Sequence, residues 1–148
     1  MAFRFPLRAL LRLRQGYERR EQLRLQILTR ELHQARQRLE TLNQEQTAAR
    51  KQLEESLRAG MAGAELHFEV ACAAERAKHH KALAEQSVKL AAQRENQLGI
   101  FRRAQQQRKV VESLRDRQYE LYRRIQARRA QQQMDELFLF RGIGSSSG

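Results

Sequence analysis

The fold is decided by residues 25–53, which read LQILTRELHQARQRLETLNQEQTAARKQL. Small or large apolar residues recur there at alternating steps of three and four, with only Gln46 interrupting: Leu25, Leu28, Leu32, Ala35, Leu39, Leu42, Ala49 and Leu53. This is the a/d pattern of a coiled coil, in which each apolar side chain inserts between residues of a partner helix. The stretch therefore predicts a long helix with one apolar stripe.

The helical pattern extends in both directions from this stretch. Pro6 suits the first turn of a helix, because its missing N–H is not needed there. Two glycines, Gly60 and Gly63, indicate a helix end followed by a tight connection. We expect a first helix over about residues 5–58 and a turn over about residues 59–64. Between Pro6 and residue 17 a broader and less regular apolar face is formed by Leu7, Leu10, Leu11, Leu13 and Tyr17.

A second helix is expected over about residues 65–140, followed by a flexible tail at residues 141–148. Its predicted stripe is rich in small residues: Leu66, Val70, Ala73, Ala77, Ala84, Val88, Ala91, Leu98, Phe101, Ala104, Val111, Leu114, Gln118, Leu121 and Ile125. The step from Val111 to Leu114 suggests a local phase slip in the stripe. Gly99 is tolerated inside the helix at a cost of about 1 kcal/mol and suggests a bend.

Two helices joined by a short loop lie antiparallel and bury their stripes against each other. We therefore predict an all-α protein, a single antiparallel coiled-coil hairpin over residues 1–148, whose second helix is longer and projects by about twenty residues at 1.5 Å per residue. The predicted seam consists of Leu25, Leu28, Leu32, Leu39, Leu42 and Leu53 on the first helix and Val88, Leu98, Val111 and Leu121 on the second. Lengthwise pairing of two chains into a structural spacer is the alternative.

Positive charge is concentrated near both ends of the chain. The net charge is +12, with six arginines in residues 1–20 and ten Lys or Arg in residues 101–134, whereas residues 40–99 are close to neutral. Such a balance favours anionic partners, namely an acidic protein surface, nucleic acid or a membrane surface. No nucleic-acid recognition motif is present, so specific base readout is not expected, and a basic nucleic-acid or membrane-surface binder stays an alternative function.

No constellation for catalysis, cofactor binding or metal binding is found, and we predict that the chain is not an enzyme. Acidic residues are scattered over helical positions without a cleft that would shift their pKa. His79 and His80 are adjacent on a helix and point about 100° apart, so they cannot share a metal ion. Cys72 lies among alanines and is expected to be a small buried residue. The N-terminal apolar stretch is broken by arginines, which argues against a secretory signal peptide.

Both ends of the chain resemble a known family. The opening Phe3-Arg4-Phe5-Pro6-Leu7, followed by Leu10-Leu11 and Leu13-Arg14, is similar to the "F-x-F-x-L … L-L-x-L-R" start of FliJ-type flagellar export proteins. The closing Gln133-Met134-Asp135-Glu136-Leu137 resembles their C-terminal "K/Q-x-(L/M)-D-E" signature. The segment that follows, residues 137–140, is more apolar than the family pattern leads us to expect.

The resemblance implies a cytoplasmic coiled-coil stalk, peripheral to the inner face of the cell membrane, with no cofactor. It implies that the paired termini insert into the hexameric flagellar export ATPase of the type III apparatus, and that the chain contacts the export gate membrane protein and export chaperones. The residues expected to bind the ATPase are Phe3, Phe5, Leu7, Arg124, Met134, Asp135, Glu136 and Phe138. The injectisome counterpart of the same stalk is an alternative. Membrane association is expected only through the protein partners.

Overall fold

The protein forms two long helices, joined by a three-residue connection. The computed structural model describes residues 2–146, and their side chains as far as Ser145. Helix α1 spans Arg8–Ala59 and helix α2 spans Gly63–Ser146. The two helices pack against each other, and no strand occurs within residues 2–146. The predicted all-α fold with an antiparallel helical hairpin is confirmed.

Helix α1 begins three residues later than predicted, at Arg8. The reason is Pro6, because the residue before a proline is disfavoured in the α conformation, and Phe5 therefore stays outside the helix. The Arg8 N–H donates to the Phe5 carbonyl at 3.2 Å, and the Leu11 N–H donates to the Leu7 carbonyl at 2.9 Å. Residues 2–5 thus lead into the first turn of α1 without helical structure of their own.

The connection between the helices depends on Gly60. Its φ is +94°, in the left-handed region that residues with a Cβ rarely adopt, and its N–H donates to the Leu57 carbonyl at 3.4 Å. A glycine in this conformation directly after a helix is a common helix terminator. Helix α2 then starts at Gly63, and Glu65 in its first turn is favourable near the positive end of the helix dipole.

The predicted flexible tail is wrong for residues 141–146, since α2 continues through Ser146. No proline interrupts this segment, and each glycine in it costs a helix only about 1 kcal/mol. The Ser145 hydroxyl donates to the Gly142 carbonyl at 3.0 Å. The last two residues of the predicted tail, 147 and 148, lie outside the described part of the chain.

The chain divides into two compact units, which are described separately. Unit 1 comprises residues 1–18 and 103–148, and unit 2 comprises Arg19–Arg102. In each unit a section of α1 packs against a section of α2. The centre of unit 2 is a cluster of Leu32, Ala35 and Leu90, which are 5–8% exposed, with the half-buried Leu28 and Ala91 packed against it.

The contact face of α1 extends beyond the apolar stretch at residues 25–53 and keeps the same alternation of three- and four-residue steps. The residues of this series are buried or half-buried and follow one another at steps of three or four positions: Leu11, Arg14, Glu18, Glu21, Leu25, Leu28, Leu32, Ala35, Leu39, Leu42, Gln46, Ala49, Leu53 and Ser56. All six seam leucines predicted on α1 lie in this series. Its first part uses charged residues, whereas the predicted Leu13 and Tyr17 are about half exposed.

The contact face of α2 differs from the predicted stripe. From residue 76 it follows the same alternation through Arg76, His80, Leu83, Ser87, Leu90, Arg94, Gln97, Phe101, Ala104, Arg108, Val111, Arg115, Gln118 and Tyr122. Val88 is 70% exposed and Leu121 is 56% exposed, so their assignment to the seam is wrong, while Leu98 is half-buried and Val111 is buried. The predicted phase slip is also wrong, because Arg115, not Leu114, follows Val111 on the contact face.

Candidate protein-binding surface

Unit 1 is organised around a small apolar core at the start of the chain. Phe5, Leu11 and Val111 are 5–8% exposed, and Phe3 and Leu10 pack against them. Because Pro6 keeps residues 2–5 out of the helix, both phenylalanines can reach α2 from the chain that precedes α1. The N-terminal segment is thereby held against residues of α2 that are more than a hundred positions later in the sequence.

An aromatic cluster extends this core along α2. The ring of Phe3 lies 5.3 Å from the ring of Tyr119, at an interplanar angle of 71°, and 5.5 Å from the ring of Tyr122. The two tyrosine rings lie 6.5 Å apart. Edge-to-face and offset arrangements of this kind add about 0.5–1.5 kcal/mol per pair beyond the burial of apolar area. The cluster therefore fixes Phe3 on α2.

A charged cluster on the contact face joins the two helices of unit 1. Arg108 donates to both carboxylate oxygens of Glu18, at 2.5 Å and 3.2 Å, and also donates to Glu112 one turn along α2. The side chains of Arg108 and Glu18 are only 21% and 17% exposed. The hydrogen bonds that Arg108 donates, first to Glu18 and then to Glu112, raise the pKa of its guanidinium above the ordinary value. Next to this cluster, Arg14 donates to the Gln107 side chain at 2.7 Å.

A basic groove lies beside the apolar core. It has a volume of about 600 Å³, and its lining residues are Phe3, Arg4, Phe5, Arg8, Leu11, Arg12, Gln15 and Arg115. Arg115 is paired, with Glu112 at 3.7 Å and Asp116 at 3.6 Å. Among the described residues, Arg4, Arg8 and Arg12 have no carboxylate partner. The groove therefore combines an apolar floor with three uncompensated guanidinium groups.

The C-terminal part of α2 is exposed over its entire circumference. Every side chain from residue 127 to residue 145 is exposed, although the segment is helical throughout. It carries a dense group of large apolar side chains that are 64–78% exposed: Met134, Leu137, Phe138, Leu139, Phe140 and Ile143. Contiguous exposed apolar side chains on a folded protein mark an interaction site, because water contact is unfavourable for them.

The predicted ATPase-binding residues fall into two groups that the structure does not bring together. Phe3 is half-buried in the aromatic cluster, Phe5 is buried at 8% exposure, and Leu7 is 37% exposed. The buried state of Phe5 is a correction, because this side chain packs in the core of unit 1 and offers little surface. The other group lies on α2: Arg124 is exposed two residues after Tyr122, and Met134, Asp135, Glu136 and Phe138 lie in the exposed segment.

The separation of the two groups follows from helix geometry. Phe3 contacts Tyr119 and Tyr122, and Met134 lies twelve residues beyond Tyr122 in the same continuous helix. At 1.5 Å per residue, this places Met134 about 18 Å further along α2. The N-terminal aromatic residues therefore stabilise unit 1, and the exposed segment alone carries the C-terminal apolar surface.

Sequence reasoning missed the charged cluster of Arg108, Glu18 and Glu112. A signal was present, since continuing the alternation of steps back from Leu25 gives Glu21, Glu18 and then Arg14. These charged residues were not recognised because a stripe was defined by its apolar members. A similar polar contact occurs in unit 2, where the buried Gln97 donates to the Glu21 carboxylate at 2.5 Å and to its backbone carbonyl at 3.1 Å.

Clusters of metal-ligating side chains and bilayer-spanning helices would be further candidate sites. Within residues 2–146, no group of three or more His, Cys, Asp or Glu side chains is arranged to hold a metal ion. The same part of the chain contains no helix with an apolar stretch long enough to cross a bilayer. Cys72 is half-buried rather than buried.

Comparison with known proteins identifies one family. The model of the family described as "Flagellar FliJ protein" matches residues 3–147. Searches of curated proteins and of solved structures return no significant match. The matched region includes the N-terminal aromatic residues, both helices and the exposed apolar segment. The chain therefore belongs to the flagellar FliJ protein family and is a coiled-coil protein of flagellar protein export.

Proposed function

We propose that this chain acts as a stalk of the flagellar type III export apparatus, which inserts its exposed C-terminal segment into the hexameric export ATPase. In this role it also contacts the export gate membrane protein and export chaperones, on the cytoplasmic side of the membrane. Family membership over residues 3–147 supports a role in flagellar export, and it favours the flagellar apparatus over the injectisome counterpart. The resemblance of both chain ends to FliJ-type proteins supports the ATPase as the partner.

The observation that carries this proposal is the exposure of α2 over residues 127–145. An isolated helix of this length is marginally stable in water without a packed face. A partner that surrounds the helix would bury apolar side chains on all of its sides, including Phe138 at 78% exposure and Phe140 at 72%. A pore through a ring of subunits provides such an environment.

The charges around the segment are compatible with an acidic or mixed pore lining. Four arginines precede the apolar residues, at positions 123, 124, 128 and 129, and two acidic residues, Asp135 and Glu136, lie within the apolar part. Long-range attraction by the arginines would accelerate association with an anionic surface, while the apolar side chains would slow dissociation.

The test compares two phenylalanines that are both largely exposed but lie in different units. Phe138→Ser removes an aromatic side chain from the proposed docking segment, and Phe68→Ser removes one that is 66% exposed on unit 2. Aromatic anchors at protein interfaces contribute about 2 kcal/mol or more, so we expect Phe138→Ser to weaken binding to the cognate ATPase about 30-fold. Phe68→Ser should bind the ATPase like the wild type.

Deletion of residues 130–148 is the stronger perturbation. Because these side chains are exposed where the structure describes them, the rest of the hairpin should keep its helical content and melting temperature. We expect loss of ATPase binding and of any stimulation of ATP hydrolysis. Unchanged binding and stimulation after this deletion would show that the docking segment has been placed wrongly.

A further inference from the structure

We propose that the basic groove of unit 1 is a docking site for an acidic amphipathic helix of a partner protein. The inference rests on the proposed function for the identity of that partner, which would be the export ATPase. It adds a second contact surface, separate from the exposed C-terminal segment, and it specifies the chemistry that this surface recognises.

The first argument is the charge of the groove. Arg8 and Arg12 are one turn apart at the start of α1, and Arg4 lines the same groove from the chain that precedes the helix. Side chains four residues apart on a helix lie about 5–6 Å from each other at Cβ, which matches carboxylates three or four residues apart on a facing helix. Arginine pairs with carboxylates through two parallel hydrogen bonds, as Arg108 does with Glu18 in this unit.

The second argument is the floor of the groove. Phe5 and Leu11 line the groove but are only 8% and 5% exposed, so the half-buried Phe3 is the main apolar side chain that a ligand in the groove would meet. A nucleic-acid backbone would use the guanidinium groups but gain little from an aliphatic and aromatic floor. An amphipathic helix with acidic residues beside an apolar stripe uses both features, as in other helix-in-groove complexes.

The third argument concerns a second copy of this chain, which is the simplest alternative occupant. The exposed segment does contain Asp135 and Glu136 beside apolar residues. However, four arginines at positions 123, 124, 128 and 129 precede it on α2, and the chain carries a net charge of +12. Bringing this segment onto the arginines of another copy would place like charges together, so charge favours an acidic protein of different sequence.

The experiment uses two triple variants of the full chain with the same loss of charge. Arg4→Gln/Arg8→Gln/Arg12→Gln neutralises the groove. The control, Arg19→Gln/Arg20→Gln/Arg36→Gln, removes three exposed arginines of unit 2 that also have no carboxylate partner among the described residues. Affinity is measured for the cognate ATPase hexamer and for a designed helical peptide about five turns long. This peptide has Glu residues one turn apart beside a Leu and Phe stripe, and its residue-reordered form is the control.

Support would be a loss of about tenfold or more for the groove variant, against less than about threefold for the control, with both the ATPase and the designed peptide. Equal losses for the two variants, or equal binding of the reordered peptide, would overturn the proposal, since either result indicates nonspecific attraction. Duplex DNA that binds the groove more tightly than the peptide would overturn it in favour of nucleic acid. A groove-dependent dimer in sedimentation would overturn it in favour of self-association.

The two proposals fail in different ways. If the groove variant binds the ATPase like the control while Phe138→Ser binds about 30-fold more weakly, the groove assignment is wrong and the C-terminal docking stands. If Phe138→Ser and the terminal deletion bind normally, the C-terminal docking is wrong. In that case, the loss of peptide affinity in the groove variant alone still supports an acidic helix as the ligand of the groove.

Discussion

Replacement of Arg108 by methionine gives a direct test of the charged cluster on the contact face. Methionine keeps an unbranched apolar stem but removes the guanidinium, so Glu18 and Glu112 lose their shared donor. Glu18 is then left on the contact face with a side chain that is only 17% exposed. We therefore expect Arg108→Met to destabilise the protein.

The magnitude follows from the geometry and the partial exposure. A hydrogen bond to a charged group contributes about 1.5–3 kcal/mol when it is protected from water, whereas exposed ion pairs contribute about 0–1 kcal/mol. The side chains in this cluster are 17–34% exposed, which lies between the two cases. We expect a loss of about 1–2 kcal/mol in the free energy of unfolding, or about 3–6 °C in melting temperature for a chain of this size.

A double-mutant cycle separates the pair from its surroundings. Glu18→Leu alone should cost less than Arg108→Met, because Arg108 keeps Glu112 as a partner. Glu18→Leu/Arg108→Met places two apolar residues on the contact face and should recover most of the lost stability, since apolar replacement of a complete ion pair is often neutral. We expect a coupling energy of at least about 1 kcal/mol.

The assay is urea unfolding followed by circular dichroism, with hydrogen exchange over residues 8–18 and 104–122 to localise the effect to unit 1. Arg103→Met is the control, because Arg103 is exposed in unit 1 and has no ion-pair partner among the described residues. Equal stability of Arg108→Met and Arg103→Met would refute the reasoning. So would a double variant as unstable as the sum of its single changes, because it would show that Glu18 and Arg108 act independently.

Three further predictions concern stability and are measured by urea unfolding against the wild type. Gly60→Ala should cost about 1–2 kcal/mol, because a residue with a Cβ is strained at a φ of +94°. Gly99→Ala should instead stabilise by about 0.5–1 kcal/mol, since its Cβ would meet nothing within 4 Å in the helix; a loss would show hidden packing there. Leu32→Ala should cost about 2–4 kcal/mol, whereas Leu23→Ala, at a side chain that is 55% exposed, should cost less than about 0.5 kcal/mol. Equal costs for the two variants would contradict the assignment of Leu32 to the seam.

The heptad of α1 was predictable because its contact positions are mostly leucine. Residues 25–53 contain enough large apolar side chains at the right spacing to define both the helix and its buried face. The connection was predictable for a different reason. Gly60 adopts a backbone conformation that is unfavourable for other residues, so its place in the sequence marks the end of α1.

The contact face of α2 was not predictable in the same way. Its apolar residues lie on all sides of the helix, and several, including Val88 and Val110, are more than half exposed. Much of the true contact face consists of Arg, Gln, Ser and His, whose long or small side chains can be accommodated between helices when they find polar partners. Arg94, for example, donates to the Thr29 hydroxyl at 3.0 Å, a partner that only α1 provides.

The exposed surface of unit 1 was likewise only partly predictable from the sequence. The terminal motifs predicted residues that bind the ATPase, but they did not separate core residues from surface residues. Phe5 and Phe138 were both expected to bind the ATPase, yet one is 8% exposed and the other is 78% exposed. Phe5 is buried because the residues before α1 pack against α2. Phe138 is exposed because no part of α1 packs against its segment of α2.

The amino-acid sequence by itself determined that the chain forms two long helices, where it turns and where its positive charge lies. These properties depend on neighbours within a few residues along the chain, through helical hydrogen bonding, glycine conformation and the period of the leucines. Only the tertiary structure decided which face of α2 is buried, that Glu18 pairs with Arg108, and that Phe3 and Phe5 belong to the core. Those outcomes depend on side chains about 90 or more residues apart in sequence, because a helix with apolar residues on every side takes its buried face from its partner.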